Sequence, residues 1–562
     1  MTPLFTALRS DKRILWFTLA WFVVNLVQSI FTELAHDEAY YWMYARKLDI
    51  GYYDHPPMIA LIIHLGGLIF KGEAGVRFIV VLMGALGIPL LYDLCGRKDF
   101  RLFAFILCAS TVMQVYGFIA VPDAPLLFFT ILFFIAYRNY ISTDSVRNAL
   151  FVALAIALLL YSKYHGLLVV LFTVISNFAL FRRKTFYAII ALTVLFYSPH
   201  VLWQISHDYP SYQYHILNKS QNSYNPLDSL EFLGATVLVA GPLTGVLLII
   251  GLWKNRGGDA LNRALRFTFF GFVLFFLVST FNSPIEANWM AASVVPLIIL
   301  AHDYISRTEK FREWTIRLAF VSLLVFAFMR INLMTDLVPQ LGSKSMPEFY
   351  GWKKWAEEVQ KHADGCPVAI MNSYQRASKY SFYTNSEALS LNNMAYRRNQ
   401  YDIWDIAEDM QGKRIALFRF WDEYSDSLES FETTRGKMMV QFIDHFRSYT
   451  KYRIVTDKDW YTFPHSCDVE IPLEFYDEDP STVKGHSPEY PVCLAYRRYY
   501  YNNFESEIPV DEIDPDTIHS GYKVVIHIRT PDKPGPYYLR FGFRSGWMPP
   551  YINSHLIRMD IE

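Results

Sequence analysis

The chain has 562 residues, of which 52% are hydrophobic, 17% aromatic and only 19% charged. Soluble proteins of this length carry more charge, so the composition excludes an ordinary soluble protein. The formal net charge of -1 gives no electrostatic support for nucleic-acid binding, and no zinc-finger, P-loop or dinucleotide-binding fingerprint occurs in the sequence. We therefore expect no nucleic-acid partner.

Apolar runs recur through the first 331 residues, each about as long as a helix that crosses a bilayer. The first run is too long for a cleavable signal and is expected to remain as an anchor. The sequence therefore predicts a polytopic α-helical membrane protein. Its eleven predicted transmembrane helices are 14–32, 75–94, 102–120, 125–141, 148–162, 165–181, 185–204, 229–252, 265–281, 287–303 and 313–331.

Lys and Arg are concentrated in alternate connections between the predicted spans, such as the cluster Arg97, Lys98 and Arg101. Short cytoplasmic loops retain positive charge, so these connections are predicted to lie inside. The opposite connections, including a long first outer loop at 33–74, carry most of the acids. An odd number of spans then places the N-terminus in the cytoplasm and the end of the chain outside.

The composition changes at about residue 335, where charged residues, turn signals and short alternating runs become frequent. We predict a transmembrane domain at 1–334 and a soluble extracytoplasmic domain of mixed α/β type at 335–562, long enough to bury a core. Its three cysteines, Cys366, Cys467 and Cys493, allow one disulfide without fixing the pair.

The first outer loop contains an acidic pair, Asp37 with Glu38, and an acid-and-histidine pair, Asp54 with His55. A purely structural explanation is available for the first pair, in which Asp37 caps a short interfacial helix and Glu38 favours its positive end. That explanation does not account for the second pair, which two prolines follow directly. All four residues are therefore candidate functional groups.

Three further predicted outer connections carry polar residues at the membrane boundary. Asp123 opens the fourth span, where it would serve as a helix cap, but an acid is more costly there than Ser or Asn. Lys163 and His165 separate the fifth and sixth spans; Lys163 would otherwise extend to the interface, yet the pair also suits an anionic ligand. The last outer hairpin contributes Glu286, Asn288 and Trp289.

Five of these segments, in order, resemble the motifs of bacterial membrane glycosyltransferases related to dolichyl-phosphate-mannose protein mannosyltransferases. They are also similar to the aminoarabinose transferases that modify lipid A. The segments are His36-Asp-Glu-Ala-Tyr-Tyr-Trp42, Tyr52-Tyr-Asp-His-Pro-Pro57, Pro122-Asp-Ala-Pro125, Ser162-Lys-Tyr164 and Ile285-Glu-Ala-Asn-Trp289. In the tail, residues 372–383 and 397–402 resemble the C-terminal portion of the bacterial branch.

The resemblance implies a C-type glycosyltransferase fold and a sugar donor carried on polyprenyl phosphate. Transfer would invert the sugar and would take place at the outer face of the bacterial inner membrane, among membrane lipids. The acceptor would be lipid A, another surface glycan or a protein hydroxyl. Where the aminoarabinose transferases have Glu-Lys-Pro-Pro, this chain has Asp54-His55-Pro-Pro, so a fixed cation is replaced by a mostly neutral histidine. A divalent metal, with Asp54 and His55 as its ligands, is left open.

The expected chemistry assigns roles to these residues. Polyprenyl phosphate is a good leaving group, so the enzyme needs cations for the developing charge, first Lys163 and then His55 and His165. The acceptor hydroxyl needs a base, which the resemblance assigns to Asp37, with Glu38 or Asp123 orienting it. Direct displacement with one base gives inversion.

Other residues are candidates for contacts with the acceptor or the sugar. In the membrane domain these are Asp54, Glu286, Asn288 and Trp289, and in the tail, which would cover the active-site face, they are Arg376, Arg397 and Arg398, as an anionic acceptor would require. Two alternatives stay open: a lipid-linked oligosaccharide ligase or polymerase, and a transporter. A transporter would place ionisable groups near the bilayer midplane, whereas these acids lie at loop mouths.

Overall fold

The computed structural model describes residues 11–214, 225–420, 429–478, 490–501, 503–512 and 518–562. The described chain forms two compact units. The membrane unit extends to Tyr350, beyond the predicted boundary at 334, and the tail unit runs from Gly351 to Glu562.

The membrane unit is helical. In chain order, its described α-helices of six or more residues are α1 Lys12–Phe31, α2 His36–Arg46, α3 Met58–Ile69, α4 Gly72–Leu94, α5 Phe100–Ala109, α6 Thr111–Tyr116, α7 Asp123–Ser142, α8 Val146–Ser162, α9 Gly166–Ile175, α10 Lys184–Ser206, α11 Pro226–Ala240, α12 Gly245–Lys254, α13 Ala260–Ser279, α14 Val294–Ile305 and α15 Glu309–Thr335. A 3-10 turn over Ala287–Ser293 leads into α14.

Within the described ranges, seven helical segments are long and apolar enough to cross a bilayer, or eight if α11 and α12, which are bent by 91°, form one span. Of the remaining predicted spans, 148–162 and 165–181 correspond to the shorter helices α8 and α9. The predicted total of eleven therefore stays a prediction.

The predicted span 102–120 is divided between α5 and α6. Side chains near the break donate hydrogen bonds to backbone carbonyls. Gln114 Nε2 donates to the carbonyl of Cys108 at 2.7 Å, and Thr111 Oγ1 donates to that of Leu238 at 2.5 Å. Such bonds allow a helix to break at membrane depth, because lipid offers no partner for a bare carbonyl.

The predicted first outer loop contains two helices. The expected short helix is α2, whose side chains are mostly buried. The second, α3, was not predicted, because its twelve residues, though mostly apolar, are too few for a span and carry no strong cap signal.

The tail unit combines helices and sheets, as predicted. Its helices are α16 Trp352–His362 and α17 Tyr374–Thr384. Its strands are β1 Val368–Met371, β2 Ala388–Leu391, β3 Ile415–Phe420, β4 Glu429–Thr433, β5 Gly436–Ile443, β6 Tyr452–Thr456, β7 Trp460–Phe463, β8 Asp468–Asp477, β9 Val492–Tyr500, β10 Asn503–Glu512, β11 Tyr522–Arg529, β12 Gly535–Ser545 and β13 Ile557–Ile561.

These strands form three sheets. The first has the order β2-β1-β3-β5-β4, in which β2, β1 and β3 are parallel and the rest antiparallel. The others have the orders β10-β9-β12-β13-β7 and β11-β8-β6. Aromatic rings such as Phe475, Phe541 and Phe543 are buried in the core of this unit. Among the described residues, the cysteines form no disulfide.

Candidate active site

Asp37 lies in the first turn of α2, and its side chain is exposed. The residue that precedes the helix is Ala35, so the structural explanation in which Asp37 caps the helix is wrong. Glu38 has that function instead, because its Oε2 accepts the backbone N–H of Ala35 at 2.8 Å. The carboxylate of Asp37 therefore lies at the positive end of a helix, where a negative charge is stabilised.

Glu38 forms a bidentate ion pair with Arg77, and neither side chain has any exposed surface. Arg77 Nε donates to Oε1 at 2.7 Å and Nη2 donates to Oε2 at 2.5 Å. Glu38 Oε1 also accepts the N–H of Ala120 at 2.8 Å, and Arg77 donates to the carbonyls of Ser29, Thr32 and Glu33. Both oxygens of Glu38 are already occupied by these donors, so this geometry favours a positioning role for Glu38.

A second arginine, the half-buried Arg330 of α15, supports the same region. Its Nη2 donates to Asn25 Oδ1 at 2.8 Å and to the carbonyl of Gln114 at 2.7 Å. The guanidinium carbons of Arg77 and Arg330 lie 5.5 and 5.2 Å from the centre of the Phe118 ring. Phe118 is thus held by two cations, two residues before the N–H that binds Glu38.

Asp54 is buried in a cluster of tyrosines. Its Oδ2 accepts the hydroxyl of Tyr40 at 2.7 Å and that of Tyr44 at 3.2 Å, while the His55 ring centre lies 5.6 Å from that of Tyr41. In the described parts of the chain, no three His, Cys, Asp or Glu side chains lie close enough to hold a metal. A divalent metal held by Asp54 and His55 would need further ligands from the substrate, and such a site stays a prediction.

Asp123 and Lys163 form a second buried ion pair. Lys163 Nζ donates to the two carboxylate oxygens of Asp123 at 2.8 and 2.9 Å, and both side chains are buried. The negative charge of Glu286 lies near enough to repel that of Asp123. With the hydrogen bond from Ala120 to Glu38, these observations place residues from four predicted outer connections near one another.

His165 lies in an aromatic cluster with Trp289 and Phe276, at ring-centre distances of 5.2 and 5.4 Å. Asn288 is half-buried and Glu286 is exposed beside this cluster on the same 3-10 segment. The ring of His165 thus packs against aromatic side chains. This packing gives no additional indication that His165 contacts the donor phosphate.

Helix α10 anchors the segment that leads to Asp54. The Nδ1 of His200 lies 2.9 Å from the carbonyl of Ile50, and Trp203 Nε1 donates to Asp49 Oδ2 at 2.8 Å. A Cβ atom on Gly51 would lie 2.3 Å from the Trp203 ring, so only glycine permits this close approach.

The three predicted tail arginines lie within the tail unit. The Arg376 guanidinium lies 3.1 Å from the centre of the Phe420 ring, and that of Arg397 lies 4.7 Å from the Tyr374 ring. Arg398 interacts electrostatically with the half-buried Asp402. The structure thus places Arg376 and Arg397 beside the first turn of α17, and their contact with an acceptor stays a prediction.

The sequence reasoning missed Arg77, Arg330 and the tyrosines that bind Asp54. The two arginines could have been recognised from the sequence, because each is a charged residue within a predicted span. Such residues in membrane proteins usually have a function. The tyrosines carried none, since interfacial tyrosines are common.

Comparison with known proteins identifies relatives of the chain. The family model for dolichyl-phosphate-mannose-protein mannosyltransferase matches residues 54–203, which include Asp123 and Lys163 but not Asp37. Lipid A galacturonosyltransferase RgtD of Rhizobium johnstonii is 26% identical over 307 residues, which is 51% of this chain. The chain covers 63% of the length of that relative.

The solved structure of ArnT from Cupriavidus metallidurans in the apo state aligns with 77% of this chain and 98% of its own, with a TM-score of 0.57 at 15% identity. The same protein bound to undecaprenyl phosphate aligns with 76% and 98%, with a TM-score of 0.53 at 13% identity. The chain has a C-type glycosyltransferase fold. The resemblance expected from the sequence is thereby confirmed.

Proposed function

We propose that this chain is an inverting glycosyltransferase that moves a sugar from a polyprenyl-phosphate donor to a hydroxyl of lipid A or a similar glycolipid. The observation that carries the proposal is the different environment of two adjacent acids: Asp37 is exposed, whereas Glu38 is buried and forms an ion pair with Arg77. The names of the relatives support the substrate classes, since RgtD is a lipid A galacturonosyltransferase and ArnT binds undecaprenyl phosphate.

In the proposed mechanism, Asp37 accepts the proton of the acceptor hydroxyl while the hydroxyl oxygen attacks the anomeric carbon. The bond from that carbon to the phosphate oxygen breaks, and polyprenyl phosphate leaves with the electron pair. A single displacement inverts the anomeric centre. Glu38 and Arg77 hold the first turn of α2, so that Asp37 keeps its position through the reaction.

Lys163 is the proposed ligand of the donor phosphate. An ammonium group has three N–H donors, and the two oxygens of Asp123 use two of them. The third donor and the positive charge can stabilise the phosphate that leaves. His55 and His165, which lie among aromatic rings, are secondary candidates for the same contact.

Transfer is tested with purified protein, a radiolabelled undecaprenyl-phosphate sugar and lipid A. Asp37→Asn should lower the transfer rate at least about 100-fold, because it removes a general base while keeping the size of the side chain. Glu73→Gln is the matched control, since Glu73 is also an acid in the first turn of a helix, α4. Near wild-type turnover by folded Asp37→Asn would exclude Asp37 as the base.

The same assay separates the alternatives. A transporter would leave the donor intact, and an oligosaccharide ligase or polymerase would require a lipid-linked oligosaccharide as donor. Transfer to a protein hydroxyl in place of lipid A would show that the proposed acceptor is wrong. It would not contradict the proposed displacement mechanism.

We also propose that the chain lies in the bacterial inner membrane with its N-terminus in the cytoplasm and the tail unit outside, as the loop charges indicate. Asp364 is exposed in the tail unit and suits a topology probe. In a variant whose five native cysteines are replaced, Asp364→Cys should react with a membrane-impermeant maleimide in intact spheroplasts. Reaction only after lysis would place the tail inside and contradict this orientation.

A further inference from the structure

The parallel part of the first tail sheet contains a topological switch point. Strand β1 lies between β2 and β3; the chain passes from β1 through α17 to β2 on one side, and later to β3 on the other. The direction of winding thus reverses beside β1. In open α/β sheets, ligands bind at such a point, outside the carboxyl ends of the strands.

Positively charged side chains lie at this edge of the sheet. Arg376, in the first turn of α17, packs on Phe420, the last residue of β3. Arg397, from the segment after β2, packs on Tyr374, the first residue of α17. Two of the three parallel strands therefore end next to a guanidinium group.

A third arginine reaches the same place from β4 and β5. Arg435 lies in the turn between them, and its positive charge repels that of Arg376. Its guanidinium carbon is 5.0 Å from the Trp352 ring, against which the buried Lys379 also lies, at 5.2 Å. The edge thus gathers cations from separate parts of the tail unit.

The placement of Arg376 is unfavourable in the part of the chain that the structure describes. The side chain is half-buried, and none of the described carboxylates forms an ion pair with it. Burial, followed by the neighbouring charge of Arg435, lowers the pKa of Arg376 to about 10, so the guanidinium is still charged at neutral pH. A bound anion would relieve both the desolvation and the repulsion.

We propose that this sheet edge binds a phosphate-bearing glycan, with Arg376 and Arg397 as its ligands. Guanidinium groups bind phosphate through paired N–H donors, and aromatic rings beneath them fix their orientation. This inference rests on the proposed function in one respect, the identification of the phosphate as part of a glycolipid acceptor. Phosphate binding can therefore be measured without measuring sugar transfer.

The test measures binding of glucose 1-phosphate to the full-length protein in detergent, with inorganic phosphate and uncharged glucose as comparison probes. Arg376→Gln and Arg397→Gln should each weaken glucose 1-phosphate binding at least about tenfold, and Arg376→Lys should weaken it less. Arg414→Gln is the matched control, because Arg414 packs on Phe442 in the same way but precedes β3, at the opposite edge of the sheet.

Tighter binding of glucose 1-phosphate than of inorganic phosphate would identify a glycan phosphate, and equal binding would identify the phosphate alone as the recognised group. Equal weakening by Arg376→Gln and Arg414→Gln, or no saturable binding to the wild type, would overturn the proposal. Arg376→Lys, which keeps the charge, serves if Arg376→Gln does not fold. Loss of transfer with intact phosphate binding would count against the proposed function and not against this site.

Discussion

Removing Arg77 tests how the candidate base is held. In Arg77→Met the buried carboxylate of Glu38 loses its ion-pair partner, and three backbone carbonyls lose a donor. Breaking one side of a buried ion pair costs about 3–5 kcal/mol. Because neither side chain has exposed surface, solvent screening does not reduce this figure, and we expect the upper part of the range.

The companion variant Glu38→Gln removes the buried charge and keeps one oxygen acceptor. Combined with Arg77→Met it leaves no unpaired charge, so the double variant should be more stable than the sum of the two single losses predicts. The free energy of unfolding of all four proteins, measured by denaturant titration in detergent, gives the coupling energy. A coupling below about 0.5 kcal/mol would refute the reasoning, since independent sites add within that margin.

The activity of Glu38→Gln separates positioning from proton transfer. If Glu38 only holds α2, the variant should transfer sugar more slowly with an unchanged pH dependence, because the base that titrates is still present. The opposite result would be a transfer rate that no longer falls at low pH in Glu38→Gln but still falls at low pH in Asp37→Asn. That result would make Glu38 the base and Asp37 the positioning residue.

Three further variants address other parts of the membrane unit. Lys163→Ala should raise the KM for the donor or lower kcat more than about tenfold, and Lys163→Arg should lose less, because a charge-assisted phosphate contact contributes about 1.5–3 kcal/mol. Arg330→Met should lower kcat with partial rescue by Arg330→Lys, whereas Arg317→Met, an exposed arginine of the same helix, should not. Gly51→Ala should lower the thermal unfolding midpoint, whereas Gly67→Ala, which meets no atom within 4 Å, should not.

The sequence determined the features that depend on short-range pattern. Apolar runs identified the membrane region, and loop charges and acid-rich motifs located candidate residues from Asp37 to Glu286. An alternating run correctly indicated strand β11. These features are local, because side-chain hydropathy and turn chemistry act over a few residues. The order of the motifs also identified the fold, since five motifs in sequence are far more specific than any one of them.

Only the tertiary structure decided which of two neighbouring acids is exposed. Asp37 and Glu38 are chemically alike, but successive residues of a helix point about 100° apart, so Glu38 is buried and Asp37 is exposed. The burial of Glu38 depends on Arg77, 39 residues away, and on the backbone of Ala120. No sequence pattern encodes such a distant pairing, because it arises from the way α1, α2 and α4 pack.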